Sequence, residues 1–104
     1  MAWIKIVGRD LKDRDRLERA AEALGLSVGP ADGPPILIVV DLDREGVPTD
    51  LPDGIVAVGY YSHIDEEIAK EAEAAGIAAI RRGAFWTDLP QILGPMAQGN
   101  EPGA

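Results

Sequence analysis

The 104 residues carry 10 basic and 18 acidic side chains, for a formal charge of -8, and 46% of them are apolar. With no cysteine and a single histidine, disulfides, thiol catalysis and thiolate metal sites are excluded, and no metal site is expected. The acid excess repels phosphate backbones and anionic lipid, and no apolar run approaches the ~20 residues that cross a bilayer. The expectation is therefore a soluble, cytoplasmic protein with neither nucleic acid nor membrane as partner, the first seven residues lacking the basic start and cleavage site of a secretory signal.

Trp3 to Val7 (WIKIV) is a short β-rich run that ends at Gly8. The period then changes: Leu17, Ala20, Ala21 and Leu24 fall at i, i+3, i+4 and i+7, on one side of a helix between Asp10 and Gly25. Asp10 or Asp13 can cap its start, because a short carboxylate accepts from the first free N–H groups. Gly25 suits the left-handed position that ends it. The charged run DLKDRDRLERAAE is read as a solvated face laced with ion pairs.

Leu26 to Val28 has room for only a very short strand before the breakers Gly29, Pro30, Gly33, Pro34 and Pro35. Ile36 to Val40 (ILIVV) is apolar at every position and ends at Asp41, and Ile55 to Val58 (IVAV) has the same character and ends at Gly59. Strands without alternation are buried on both faces, so these two form the centre of a parallel sheet. Between them, Gly46, Pro48 and Pro52 leave room for one distorted helical turn.

Ser62 and Asp65 form a capping-box-like pair ahead of a helix whose Ile64, Ile68, Ala72 and Ala75 share one face, stopped by Gly76. Ile77 to Ile80 is a last strand, Arg81 and Arg82 follow, and Phe85, Leu89, Ile92, Leu93 and Met96 predict one terminal amphipathic helix. Residues 1–96 thus make one domain, and residues 97–104 a flexible tail.

Strands alternating with helices predict an open α/β sheet, whose chemistry lies beyond the carboxyl ends of the strands. The rim comprises Gly8, Arg9 and Asp10; Asp41 and Asp43; Gly59 through His63; and Arg81 with Arg82. Gly8 lacks the further glycines of a dinucleotide or phosphate-loop fingerprint. Tyr60 and Tyr61 can stack on a ligand, or one of them packs under the following helix. His63 is either a solvated surface residue or an acid or base without a visible partner.

Taken together, the pieces IKIV, ILIVVDLD, IVAVGYYSHIDEE and GIAAIRRGAF resemble a response-regulator receiver domain over most of residues 3 to 93. The resemblance implies a single small flavodoxin-like parallel sheet of order 2-1-3-4-5, three-layered or partly two-layered, with a vestigial second strand. Receivers use an acidic pair after the first strand and an aspartate after the third to hold Mg²⁺, and that aspartate takes a phosphoryl group. Here the acidic pair falls at Gly8 and Arg9, and only Asp10, the acid beside it, remains. The hydroxyl residue closing the fourth strand falls at Gly59, the lysine after the fifth falls near Arg82, and the proline after it is absent.

Asp41 is then the one retained catalytic feature. Beside arginine it is expected to pair with it, because Mg²⁺ needs two or more oxygen ligands. This implies a pseudo-receiver without enzymatic activity or cofactor, acting in signalling or regulation by protein contact. The alternative is a phosphorylatable receiver that uses Asp41 and Mg²⁺. A further alternative is a small anion- or ligand-binding protein whose rim, Arg9, Asp10, Gly59, His63, Arg81 and Arg82, holds the ligand.

The resemblance also marks what is missing. Helices are expected after the second and third strands, yet those stretches are the seven-residue Gly29 to Pro35 and the proline-interrupted Leu42 to Gly54. One face of ILIVV loses its cover, with Leu42, Val47 and Leu51 nearby to replace it. Either the loop folds back over that face or a second chain covers it, so a homodimer or other protein partner is expected. Trp86, out of phase with Phe85 and Leu89, is the remaining interface candidate.

Overall fold

A computed structural model describes residues 2–62 and 66–97. Five parallel strands form one sheet: β1 (Trp3–Val7), β2 (Ser27–Val28), β3 (Leu37–Asp41), β4 (Val56–Tyr61) and β5 (Ile77–Arg81). Their order is 2-1-3-4-5, as the resemblance implies. The second strand is vestigial: two residues, Ser27 and Val28, pair with Trp3 and Ile4.

Alternation along the strands splits the core into two layers. Leu37 and Val39 of β3, with Val58 and Tyr60 of β4, face Leu17 and Ala21 of α1 (Leu11–Glu22), Phe85 of α4 (Arg82–Thr87), and Leu89 and Leu93 of α5 (Leu89–Ala97). Ile38, Val40, Ala57 and Tyr61 face the other way, onto Leu42 of α2 (Leu42–Glu45) and Ala69 and Ala72 of α3 (Glu67–Ala74). Tyr61 thus packs under α3, and Tyr60 lies on the opposite side. Every residue of β3 is buried. Helices therefore cover both faces of the sheet.

The two shortened connections are closed from within the chain. Trp3 is buried against Gly29, where an added Cβ would stand 2.0 Å from its ring. Its indole N–H donates to Gly33 O at 3.2 Å, and the chain rejoins the sheet where Ile36 N–H meets Trp3 O. One large ring takes the place of a helix. On β3, Val47, Leu51 and Ile55 pack against the layer of Ile38, Val40 and Leu42. The loop folds back as the cover, so Val47 and Leu51 serve the core and the uncovered face that pointed to a second chain is closed.

Four sequence expectations change. β4 continues past Gly59 through Tyr61, and the N–H and hydroxyl of Ser62 both donate to Asp43. Helix α3 instead begins at Glu67; Ile64 and Asp65 lie outside the described residues, Ala75 is exposed, and Ala69 takes the buried place. Leu24 is exposed beyond the end of α1. The terminal helix is two, separated at Asp88, because Pro90 has no N–H to continue the ladder to Trp86. Ala97 closes α5, and the rest of the expected tail, 98–104, lies outside the described residues. Among the described residues no helix is long and apolar enough to cross a membrane.

Candidate functional site

Strand register gathers the rim. Val7 pairs with Val40, Asp41 with Tyr60, and Tyr61 with Arg81, so the carboxyl ends of four strands finish at one edge. Asp41 is the last residue of β3 and is fully buried. Its Oδ1 accepts from the backbone N–H of Arg44 at 3.4 Å, capping α2. Its Oδ2 has no hydrogen-bond partner among the described residues. Burial pushes the Asp41 carboxyl above its usual range, against the Arg44 N–H and the Arg82 charge, with Asp13 adding to the rise.

Arg82 sits at the centre. Its guanidinium donates to Asp13 Oδ2 at 2.8 Å and to Asp41 Oδ1 at 3.5 Å, and lies 3.9 Å from Asp43 Oδ2. The same group lies over the Tyr60 ring, 4.7 Å from its centroid. Tyr60 in turn donates its hydroxyl to Asp13 at 3.1 Å. Burial, with Asp41 and Asp13 alongside, holds that hydroxyl well above its ordinary range. For Arg82 burial acts the other way, but the hydrogen bond and charge of Asp13 and the charge of Asp41 outweigh it and hold the guanidinium more firmly protonated. Two buried carboxylates and a buried phenol thus share one permanent cation.

Asp13 escaped the sequence reading, which placed it on a solvated face. Asp10 caps α1 by accepting from the N–H groups of Lys12 and Asp13, and this fixes the helix phase so that Asp13, Leu17 and Ala21 are buried on one side. The clue was one turn away: Asp13 stands at i−4 from Leu17, on the apolar stripe itself. Ser62, which the sequence places on the rim within Gly59 through His63, follows β4 directly, and its hydroxyl reaches Asp43 Oδ2 at 2.6 Å, a contact the sequence did not signal.

The remaining rim residues disperse. Arg9 is exposed and pairs with Glu45 at 3.5 Å. Asp10 pairs with Arg44 at 3.1 Å, and the backbone N–H of Asp13 first, then that of Lys12 and the Arg44 charge, hold its carboxyl below the usual range. Gly59 lies inside β4, away from the rim, where a Cβ would stand 2.7 Å from Leu42. Arg81 points outward to Glu66. His63 lies outside the described residues. Trp86 is half-buried, its ring 5.4 Å from Tyr60 and 4.9 Å from Phe85.

Over its whole length the chain superimposes on all of a solved chain, the crystal structure of a response regulator receiver protein from Burkholderia phymatum, with a TM-score of 0.69 and 14% identity. The chain has the receiver-like fold. No protein-family model matches the sequence, and no curated protein does. At 14% identity the likeness establishes the fold alone, so the chemistry rests on the side chains at the rim.

Those side chains do not fit the Mg²⁺ that the receiver resemblance implies. Gly8 offers no ligand, and a Cβ there would already lie 3.1 Å from Asp41 Cβ. Among the described residues no group of three or more histidine, cysteine or acidic side chains is placed to hold a metal. Arg82 already supplies positive charge to Asp13 and Asp41, and a hard cation that wants about six oxygens finds a guanidinium in its way.

Proposed function

We propose that this chain is a receiver-like module that performs no phosphoryl transfer and acts in signalling or regulation by contact with other proteins. The single observation behind this reading is the salt bridge of Arg82 to both Asp13 and Asp41. Phosphoryl transfer to a carboxylate needs a cation that screens two anions as they approach and leaves its ligands free to reorganise. A tethered guanidinium screens charge, yet it occupies the nucleophile and bonds it in place. In this reading Arg82 does structurally what a metal and a lysine do chemically in an active receiver. The module therefore needs no cofactor, and its output comes from its surface. A second copy of the chain is the first partner to test, by light scattering.

The deciding experiment is a titration with Mg²⁺ and then beryllofluoride, followed by amide NMR signals of Gly8, Asp41 and Ser62. The expected result is no change in any of them. A shift that Asp41→Asn abolishes overturns the proposal and makes Asp41 a phosphoacceptor.

A further inference from the structure

Beside the Asp41 network, and sharing Arg82 with it, lies a cavity of about 460 Å³ lined by Arg16, Tyr61, Ser62, Arg81, Arg82, Gly83 and Trp86. This is within the ~300–1,000 Å³ common for small-molecule sites. Three of the ten basic residues in a chain of net charge -8 converge here, and among the described residues that line it none is acidic. The three come from different elements. Arg16 is on α1, Arg81 ends β5 and Arg82 opens α4.

Their engagements differ. Arg82 is committed to Asp13 and Asp41, and Arg81 to Glu66. Arg16 makes no ion pair among the described residues; its guanidinium instead lies over the Trp86 ring, 5.5 Å from the centroid. A guanidinium stacked on indole keeps its edge donors in its own plane, where they can grip an oxyanion while the ring beside it offers a flat apolar wall. Gly83 adds no side chain to narrow the cavity, and Ser62 and Tyr61 complete its lining.

From this arrangement we propose that the cavity binds a small organic anion in which an oxyanion group is carried on a planar ring, the class of aryl phosphates, aryl sulfonates and aromatic carboxylates. The oxyanion meets Arg16 and Arg81, and the ring lies against Trp86. Arg16, which has no carboxylate partner among the described residues, supplies the uncompensated charge that draws the anion in, and Arg81 offers it the N–H donors that Glu66 leaves free. The site requires neither metal nor transfer to Asp41, and it goes beyond the protein-contact reading without depending on it.

The test uses phenyl phosphate as the probe, without divalent metal, and follows the two indole N–H signals. Trp86 Nε1 is buried without a hydrogen-bond partner among the described residues, and Trp3 Nε1 is bonded to Gly33 O on the far side of the molecule, so one reports and the other serves as reference. The expected result is a saturable shift of Trp86 alone, with inorganic phosphate and benzyl alcohol each at least roughly tenfold weaker, a difference of ~1.4 kcal/mol. Arg16→Ala combined with Arg81→Ala removes exposed side chains, and an otherwise unchanged amide spectrum confirms its fold. It is expected to weaken phenyl phosphate by tenfold or more. No saturable Trp86 shift, equal affinity for inorganic phosphate, or an unimpaired double variant each overturns the proposal.

Discussion

Arg82 and Asp13 stand 69 positions apart and meet at 2.8 Å, the shortest bond that Arg82 makes. This bond ties the start of α4 to the first turn of α1 across the sheet's edge, with Tyr60 closing the triangle from β4. Three elements from the two ends and the middle of the chain are held by one guanidinium.

Removing Asp13 leaves Arg82 with weaker partners and strands the Tyr60 hydroxyl in the core. Breaking a fully buried ion pair costs about 3–5 kcal/mol, and Arg82, whose side chain is 29% exposed, keeps Asp41, so Asp13→Ala is expected to lose roughly 2 kcal/mol. Tyr60→Phe removes one hydrogen bond and is expected to lose about 1 kcal/mol. Urea unfolding of both single variants and the double variant checks this, and the double variant is expected to lose less than the sum.

Asp41 makes the opposite prediction. Its carboxyl is raised above the ordinary value of 3.8 by burial, so the folded state holds the proton more tightly than the unfolded chain. Stability is then full below the unfolded pKa and falls as pH rises through the folded one. Asp41→Asn keeps the shape and the acceptor for the Arg44 N–H but never ionises. The variant is expected to match the natural protein near pH 3 and to be the more stable at pH 7, as thermal melts across that range will show. A less stable variant at pH 7 contradicts the sign.

How far the sequence alone carried follows from which contacts are local. The apolar runs at Ile36 to Val40 and Ile55 to Val58, a cap at Asp10 or Asp13, of which the fold uses Asp10, and a very short second strand were legible because each depends on neighbours within a few positions. Asp41 was found because it ends its own strand. Asp13 was not: its place on the buried stripe of α1 was a local clue, but the partner that gives it a role, Arg82, arrives from the far end of the chain. The length of β4 was hidden for a similar reason: Gly59 looks like a stop, whereas in the fold it is where Leu42 packs flat against the sheet.

That contact gives a third prediction. A Cβ at Gly59 would lie 2.7 Å from both Leu42 Cγ and Cδ1 and 3.2 Å from Ile77 Cγ2. Gly59→Thr, which puts a hydroxyl where the sequence resemblance expected one but inside β4, is therefore expected to lose about 1–3 kcal/mol from overpacking. It is expected to gain no beryllofluoride response. Denaturant midpoints and the same NMR titration check both halves.

Leu42 itself seals β3. It is fully buried and anchors the layer that Val47 and Leu51 complete, standing where a full helix would cover the strand. Leu42→Ala opens a cavity beneath a loop with little structure of its own to collapse into it, at an expected loss of about 2–5 kcal/mol. The loosened cover should also speed amide hydrogen exchange at Ile38 and Val40 ahead of Leu37 and Val39, whose side chains face α1 and α5 on the other side. Equal acceleration along the whole strand would mean that the loop is a bystander and that something other than this chain covers the face.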